Sequence, residues 1–320
     1  MTTILITGVA GFIGSNLAAR LLAENEKRAA ADRFRVVGVD NLSSGLRENV
    51  PEGVRFHELD IRDHALHEVF RGVDVVFHLA AKNCISDCQA DPVETSAINV
   101  TGTVNVFEAS RKAGVRKVVY AESSALYEGS RVFPTPEEEV RPESFYAVSK
   151  LASRLFAAAY KRYHGLSGTA LRYFCVYGPA QDYRRTIPPV MSAFIIRLLQ
   201  GRPPTIHGTG RKRRDFVYVD DVNDFHLQCI ADPRTDHRTF NLGSGVNYSV
   251  LEILGLVSDL LEIRVDPVFE PDLPGEAETT CADIREARKL GWEPKTDIRA
   301  GLRKAIAYLQ GEFARGRVAP

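Results

Sequence analysis

The sequence is poor in the features that mark secreted, membrane-spanning or zinc-binding proteins. Five cysteines are spread over 320 residues without a Cys-x-x-Cys pair, which argues against a disulfide framework and against a structural zinc site. No apolar run approaches the ~20 residues of a membrane-spanning helix. The chain also opens directly on a strand-like segment rather than on a charged and then apolar leader. We therefore expect a soluble, cytoplasmic protein that holds no metal ion.

Net charge is also lacking. Lys and Arg together number 41, and so do Asp and Glu, so the formal charge is zero and offers no support for a nucleic-acid or acidic-membrane partner. The length exceeds that of one average domain. One large unit with a smaller one attached is the expected organisation.

Apolar segments of strand length alternate with longer amphipathic segments in the first half of the chain. The predicted strands are residues 3–7, 35–40, 54–60, 73–80, 115–121 and 168–176. Apolar strands separated by helices predict a parallel sheet covered on both faces, which is the doubly wound α/β (Rossmann) fold. We expect residues 1–176 to form this domain and residues 216–245 to return to it, with residues 177–320 forming mainly a smaller second domain.

A glycine-rich segment, GVAGFIG, follows the first predicted strand. Gly8 would permit a tight turn, Gly11 a close approach of the backbone to a pyrophosphate, and Gly14 close packing of helix on strand. Between a strand and a helix, this spacing predicts a dinucleotide site. The next helical segment is long, and we interpret the excess as about two added helical turns.

Carboxylates at two predicted strand ends favour NAD as the dinucleotide. Asp40 ends the second strand, where it can accept both ribose hydroxyls of the adenosine and would repel a 2′-phosphate. A solvated loop residue is the alternative. Asp60, followed by Ile61, ends the third strand, where its carboxylate is expected near the adenine amine.

A tyrosine and a lysine four residues apart predict acid–base chemistry. Tyr146 and Lys150 lie on one face of a predicted helix. There the ammonium group would lower the pKa of the phenol from ~10 towards neutrality, as a general base requires. An ordinary surface pair is the alternative, but a serine at the end of the preceding predicted strand favours a catalytic site.

These motifs resemble the extended short-chain dehydrogenase/reductase superfamily, specifically its NAD-dependent nucleotide-sugar epimerase/dehydratase branch. The resemblance runs through TGVAGFIGS, VDNLSSG, VFHLAA, INVTGTVNVFEAS, YAVSK, LRYFCVYGP, GTGRKRRDFVYVDDV, FNLGSG and CADIREARKLGW. It implies an N-terminal domain with tightly held NAD, a C-terminal domain for a nucleoside diphosphate sugar, and a homodimer. The implied NAD contacts are Gly8, Gly11, Phe12, Ile13, Gly14, Asp40, Asn41, Asp60, Ile61, Leu79, Ala80, Ala81, Asn99, Tyr146 and Lys150.

The resemblance also implies a reaction. By this resemblance, Ser123 matches the residue that hydrogen-bonds the 4-hydroxyl of the sugar. Ser124 and Ala125 occupy the two positions at which 4,6-dehydratases of the family carry an Asp-Glu pair. Without that pair, the resemblance implies 4-epimerisation of a UDP-hexose through a transient 4-keto intermediate. The implied catalytic residues are Ser123, Tyr146 and Lys150.

Substrate binding is expected mainly from the C-terminal half. Arg214 matches the phosphate-binding arginine of the family, and residues 203–208 resemble the segment that flanks the uracil. Thr280 matches the position that limits the size of the C2 substituent of the sugar in this family. A small residue there leaves room for an N-acetyl group, and a threonine at this position also resembles some UDP-glucuronate epimerases. The predicted substrate contacts are Ser123, Ser124, Tyr146, Cys175, Ile206, Arg214 and Thr280.

Departures from the family pattern leave the sugar open. Cys175 replaces an asparagine that commonly touches the substrate, and Leu273 begins a Leu-Pro-Gly-Glu segment in place of Arg-Pro-Gly-Asp. Arg184 or Arg185 could replace the lost arginine. Glu122 is expected to point away from Ser123, because strand side chains alternate, and to form a structural ion pair or hydrogen bond rather than to act directly.

Two other functions stay open. A nucleotide-sugar dehydratase, decarboxylase or 4-keto reductase would use the same tyrosine and lysine. A regulatory protein that binds NAD without turnover belongs to another class, and the intact Ser123, Tyr146 and Lys150 argue against it.

Overall fold

Strands and helices alternate along the chain. The computed structural model describes residues 1–185, 187–272, 275 and 277–318. Its strands are β1 (Thr2–Thr7), β2 (Phe34–Asp40), β3 (Arg55–Glu58), β4 (Val75–His78), β5 (Lys117–Ser123), β6 (Ser167–Tyr173), β7 (Cys175–Tyr177), β8 (Thr205–His207), β9 (Arg213–Tyr218), β10 (Thr239–Leu242), β11 (Asn247–Ser249) and β12 (Val268–Glu270). Its helices are α1 (Phe12–Asn25), α2 (Leu66–Val69), α3 (Ile85–Ala90), α4 (Pro92–Ser96), α5 (Thr103–Ala113), α6 (Phe145–His164), α7 (Val190–Leu199), α8 (Val219–Ala231), α9 (Val250–Leu261), α10 (Arg285–Arg288) and α11 (Ile298–Ala314), with a π-helical turn at Ala97–Gly102.

A parallel sheet of seven strands, in the order β10-β6-β5-β4-β1-β2-β3, forms the centre of the molecule. Its side chains alternate between two apolar cores. Ile4 and Ile6 pack with residues of α1 and α8, whereas Leu5 packs with residues of α2 and α5. Because burial of one such side chain stabilises the fold by about 1.5–3 kcal/mol, strands apolar on both faces require helices on both sides. The predicted doubly wound α/β fold is confirmed.

The other strands lie outside this sheet. β7, β9 and β11 form a three-stranded sheet, and β8 pairs with β12. Helices α7, α9 and α11 contribute Phe194, Ile253 and Leu302 to a third core that also contains Phe216 of β9. The boundary at residues 176 and 177 stays a prediction.

The predicted strand 168–176 divides into two. Phe174 N still donates to Leu242 O of β10 at 3.0 Å, but Cys175 pairs with Phe216 of β9. The chain therefore leaves the main sheet at Phe174 and enters the smaller one.

The return of the chain to the main sheet also differs from the expectation. β10 pairs with β6, as expected for residues 240–245. The expected pairing of residues 217–221 with the same sheet is not observed, because β9 lies between β7 and β11. The helix that follows β9 nevertheless packs on the main sheet through Val222 and Phe225.

The expectation of two added turns in the first helix is wrong. α1 ends at Asn25, where the side-chain amide donates to Phe34 O at 2.9 Å and accepts from Phe34 N at 2.7 Å. These bonds tie the end of the helix to the start of β2. The extra residues form an exposed connection that contains only the short 3₁₀ turn Ala30–Asp32.

Parallel strands place their carboxyl ends at one edge of the sheet, which is where ligands bind in open α/β folds. The glycine-rich turn, Asp40 and Ser123 lie at the ends of β1, β2 and β5 and therefore share that edge. Among the described residues, no helix is both long enough and apolar enough to span a membrane.

Candidate active site

The glycine-rich turn has no room for side chains. Gly8 has φ +75°, and a Cβ there would lie 2.8 Å from Ala80 N. A Cβ on Gly14 would lie 2.2 Å from Gly8 O, and one on Gly11 would lie 3.3 Å from the same oxygen. Gly11 precedes α1 and provides no side-chain cap, so the N–H groups in the first turn of α1 can face an anion. This cradle fits the pyrophosphate of a dinucleotide.

The carboxylate of Asp40 is held beside this turn. It accepts hydrogen bonds from Ala10 N and Leu42 N, both at 2.9 Å. Burial raises the pKa of Asp40, and these two bonds oppose the rise. Carboxylate oxygens can accept more than one bond each, so the position fits the predicted ribose contact.

Asp60 has a closer partner than the sequence suggests. Arg62 donates to both of its carboxylate oxygens at 2.9 Å, and Asn41 Nδ2 donates at 2.8 Å. The Arg62 guanidinium lowers the pKa of Asp60 to about 2. Ile61 is buried beneath Gly102, whose Cβ would lie 2.6 Å from Ile61 Cδ1, so contact with a nucleotide falls to the Ile61 backbone.

The segment after β4 is fixed by the end of β1. Leu79 N donates to Thr7 O at 3.1 Å, and Ala80 N donates to Thr7 Oγ1 at 3.3 Å. Ala81 follows, half-buried. Phe12 and Ile13, the other apolar residues among the predicted NAD contacts, begin α1 and are also half-buried.

Asn99 links this segment to the catalytic helix. Its side chain accepts from Lys82 N at 2.8 Å and donates to Lys82 O and Ser149 Oγ at 2.9 and 3.0 Å. Ser149 Oγ in turn donates to Tyr146 O at 2.7 Å. With both ends of its amide engaged, Asn99 supports the site, and a direct contact with NAD stays a prediction.

The structure brings the three predicted catalytic residues together. Ser123 ends β5, and its hydroxyl lies close enough to Tyr146, near the start of α6, to lower the pKa of that phenol. Lys150, one turn later, donates to Ala121 O at 3.1 Å, and its Nζ lies 5.9 Å from the centre of the Tyr146 ring. Tyr146 and Lys150 are both buried.

The expected effect of Lys150 on Tyr146 is not what the structure shows. Burial raises the pKa of Tyr146 to about 12, and Ser123 only partly opposes this rise. Burial also lowers the pKa of Lys150 to about 8. The phenol therefore does not approach neutrality through Lys150 alone, because burial penalises the charged forms of both groups.

Three charged or polar neighbours of Tyr146 were missed from the sequence. The charge of Arg185 lowers the pKa of Tyr146, while Cys88 and Glu128 raise it. Glu128 also accepts from Ser144 N and Ser144 Oγ at 2.8 Å, which anchors the start of α6. No local pattern connects these residues, since they come from segments far apart in the chain.

A buried histidine was missed as well, although VFHLAA contains it. His78 bonds with Thr7 Oγ1 at 2.8 Å and with Thr103 Oγ1 at 2.9 Å. Burial, helped by the charge of Lys150, lowers the pKa of His78 to about 3. A polar residue at the end of an apolar strand was the available signal.

Three of the seven predicted substrate contacts lie on or beside the smaller sheet. Arg214 is on β9. Cys175 on β7 pairs with Phe216, two residues after Arg214 on the same strand. Thr280 N donates to Arg213 O at 3.0 Å. Arg214, Cys175 and Thr280 therefore come from three segments that meet beside the end of the main sheet.

The other predicted substrate contacts differ in exposure. Ser124 is half-buried in a 3₁₀ turn directly after β5. The side chain of Ile206 is fully buried in the third core. The predicted contact with the base of the nucleotide would therefore involve the backbone of Ile206 rather than its side chain, as the resemblance implies. Leu273, Pro274 and Glu276 lie outside the described residues.

Two of the basic residues before Arg214 are used in ion pairs. Lys212 Nζ lies 2.6 Å from Asp272 Oδ1, and Arg213 Nη1 lies 3.1 Å from Glu252 Oε2. The first pair ties the segment before β9 to the segment after β12, and the second ties β9 to the first turn of α9. Of the candidates for the lost arginine, Arg184 lies 3.5 Å from Asp182, whereas Arg185 donates to Asn83 Oδ1 at 3.1 Å and acts on Tyr146.

Comparison with known proteins gives consistent results over almost the whole chain. A UDP-glucose 4-epimerase of Mycolicibacterium smegmatis is 35% identical over 318 residues, covering 96% of this chain and 98% of that protein. A UDP-glucuronate 4-epimerase of Thermodesulfobacterium geofontis is 31% identical over 324 residues, covering 95% of each.

Solved structures agree. The crystal structure of a UDP-glucose 4-epimerase from Thermotoga maritima with UDP-glucose superimposes with a TM-score of 0.92 at 33% identity, over 98% of this chain and 100% of the other. The sequence profile described as the NAD dependent epimerase/dehydratase family matches residues 4–243. The chain carries the glycine turn and the Ser-Tyr-Lys arrangement within that range, and it belongs to the NAD-dependent epimerase/dehydratase family.

Proposed function

We propose that this protein is a cytoplasmic, NAD-dependent 4-epimerase of a UDP-hexose. The observation that carries the proposal is the meeting of Ser123, Tyr146 and Lys150 at the end of β5, followed by Ser124 and Ala125 rather than by two carboxylates. A proton can be moved at a sugar hydroxyl there, whereas elimination of water would need an acid and a base that these two residues do not supply. None of the five cysteines forms a disulfide in the described part of the chain, which is common in cytoplasmic proteins.

Each of the three residues has a distinct role in this proposal. Tyr146 takes the proton from O4 of the sugar as C4 is oxidised, and returns it when C4 is reduced on its other face. Ser123, which lies beside the phenol, shares the hydrogen bond with O4 and fixes its position. Lys150 supplies a positive charge beside the ring and has ammonium donors beyond the one that bonds Ala121 O.

The residues present fit NAD. The turn at Gly8, Gly11 and Gly14 would hold the pyrophosphate, and Asp40 would accept the ribose hydroxyls. NAD, when bound, supplies a hydride acceptor and donor for C4, so that none is consumed overall. Lys150, buried next to Tyr146, would also reach the nicotinamide ribose.

The substrate side of the proposal rests on the smaller sheet. Arg214 would bind the diphosphate, since a guanidinium can form two parallel bonds with phosphate oxygens. Thr280 beside it leaves space at C2 of the sugar. Glucose or galactose, their N-acetylated forms and glucuronate are the candidate sugars.

Incubation without added cofactor tests this function. Purified protein is mixed with UDP-glucose, UDP-N-acetylglucosamine or UDP-glucuronate, and each mixture is followed by anion-exchange chromatography and mass spectrometry. A new peak of unchanged mass supports epimerisation and names the sugar. Loss of water or CO₂ would instead indicate a dehydratase or decarboxylase, and turnover only with added NADH a reductase. No change in any mixture would favour an NAD-binding regulator.

An exposed apolar stripe on α6 supports a homodimer as part of the proposal. Phe145, Val148, Leu155, Phe156 and Tyr163 are each at least 38% exposed, and their spacing places them within one face of the helix. A stripe of this kind marks a protein interface. Because two copies of the chain present the same face, these faces can pack against each other across a two-fold axis.

We expect Leu155→Glu to convert the dimer to a monomer, because it places a charge in the middle of that stripe. Light scattering coupled to size exclusion would then report the mass of one chain instead of two. Lys161→Glu, on the opposite side of α6, is the control and should leave the mass unchanged. A wild-type mass of one chain would contradict the homodimer.

A further inference from the structure

A buried ion pair lies directly beneath the catalytic residues. Glu122 of β5 and Arg172 of β6 are register partners, and Arg172 Nε lies 2.6 Å from Glu122 Oε2. Both side chains are 0% exposed. The expectation that Glu122 forms a structural ion pair is therefore met, but the pair has features that stability alone does not explain.

The pair is incompletely satisfied. Among the described residues, Glu122 Oε1 and Arg172 Nη2 find no hydrogen-bond partner although both are buried, and each such atom destabilises the fold. Arg172 also donates to the hydroxyl of Tyr127 at 2.6 Å and to Glu137 O. Since apolar residues of similar volume are often as stable as a buried ion pair, its charges call for a second role.

That role is indicated by the position of Lys150. Lys150 as a whole is 6% exposed, and its ammonium bonds to the neutral carbonyl of Ala121, the residue before Glu122. A buried ammonium is costly without a counter-charge. Glu122 raises the pKa of Lys150 against the effect of burial. The titratable groups that act on or lie against Lys150 are Glu122 of β5, His78 of β4, Cys88 of α3 and Tyr146 of α6, and Arg172 of β6 is bonded to Glu122.

We infer that Glu122 is a positioning residue whose single carboxylate serves two cations, holding Arg172 directly and keeping Lys150 in its ammonium form at working pH. The inference rests on the proposed function, because it assigns Glu122 a part in the proton transfer of Tyr146. Arg172 limits how much of the carboxylate charge acts on Lys150. The two members of one ion pair should therefore affect the pKa of Lys150 in opposite directions.

The experiment measures the pKa of Lys150 itself. Protein labelled with [ε-¹³C]lysine is titrated by NMR, and the Lys150 signal is assigned by its loss in Lys150→Arg. We expect E122Q to lower the pKa of Lys150 by about 1 or more, since it removes a nearby opposite charge. R172Q should raise it, because it removes a competing cation. E122Q/R172Q should fall between the two single variants.

The ordering of the three variants decides the inference, so any two that fold suffice. Glu108→Gln, which removes a carboxylate bonded to Tyr160 at the other end of α6, is the control and should leave the pKa of Lys150 unchanged. Equal pKa values in the variants, or a shift of the same sign in both single variants, would overturn the inference.

The pH profile of kcat adds the functional readout. Activity that needs the ammonium form is lost as pH rises through the pKa of Lys150, so E122Q should move the alkaline limb to lower pH and R172Q to higher pH. The NMR titration needs no substrate. If the variants show the expected order by NMR but the protein turns over no sugar, the proposed function is disproved and the electrostatic role of Glu122 stands. If the enzyme is active but the alkaline limbs of its pH profiles do not shift, that role of Glu122 in catalysis is overturned.

Discussion

Tyr146→Phe is expected to lower kcat for epimerisation by about 10³, within the 10²–10⁴ that a positioned acid–base group supplies. The phenol lies beside Ser123 at the end of β5, and phenylalanine keeps the ring while removing the proton acceptor. Binding of NAD should change little, since the glycine turn and Asp40 lie on other strands. Turnover of whichever candidate UDP-sugar the incubation shows to be epimerised, followed by chromatography, measures the loss.

The matched control is Tyr160→Phe, which removes a phenol bonded to Glu108 at the other end of the same helix. It should retain the wild-type kcat. If Tyr146→Phe kept more than a tenth of the wild-type rate with the same KM, the base would have to be another group. Cys88 and Glu128 are the titratable neighbours to examine next, because both act on Tyr146.

The high pKa of Tyr146 bears on which group sets the alkaline decline of kcat. A phenol with a pKa of about 12 is protonated at neutral pH, so the working enzyme must lower this value before Tyr146 can accept a proton. Lys150, with a pKa of about 8, is itself largely charged only below that pH. The alkaline decline of kcat should then follow Lys150 rather than Tyr146.

Local patterns were sufficient for the parallel sheet and the nucleotide turn. The strand around Ile4 and Leu5 is apolar on both faces, and the turn needs glycine at Gly8 because φ is positive there. Such requirements act over a few residues and are written in consecutive letters. The spacing of Tyr146 and Lys150 was visible for the same reason.

Features that depend on distant contacts were not visible. α1 stops at Asn25 because its side chain bonds to Phe34, and β9 leaves the main sheet because β7 and β11 pair with it. The partner of Glu122 is 50 residues away. The pKa of Tyr146 likewise depends on burial by several segments, which no spacing of two residues records.

The second large effect is expected at the nucleotide turn. Gly14→Ala should reduce the NAD that purifies with the protein to less than a tenth of the wild-type content. The added Cβ would lie 2.2 Å from Gly8 O and 2.9 Å from Val9 Cα. Both are backbone atoms, so no side-chain rotation relieves the contact, and the turn itself must move. Acid release followed by chromatography measures the bound NAD.

The same change should lower the free energy of unfolding by about 3 kcal/mol, at the upper end for an overpacked site, and more when bound NAD is lost as well. Gly255→Ala is the matched control, because Gly255 lies within α9 and its Cβ would meet nothing within 4 Å. That variant should keep its NAD and gain up to about 1 kcal/mol from helix propensity. Urea unfolding measures both. If Gly14→Ala retained its NAD and its stability, the close contact of α1 with the turn would not be what holds the pyrophosphate cradle in shape.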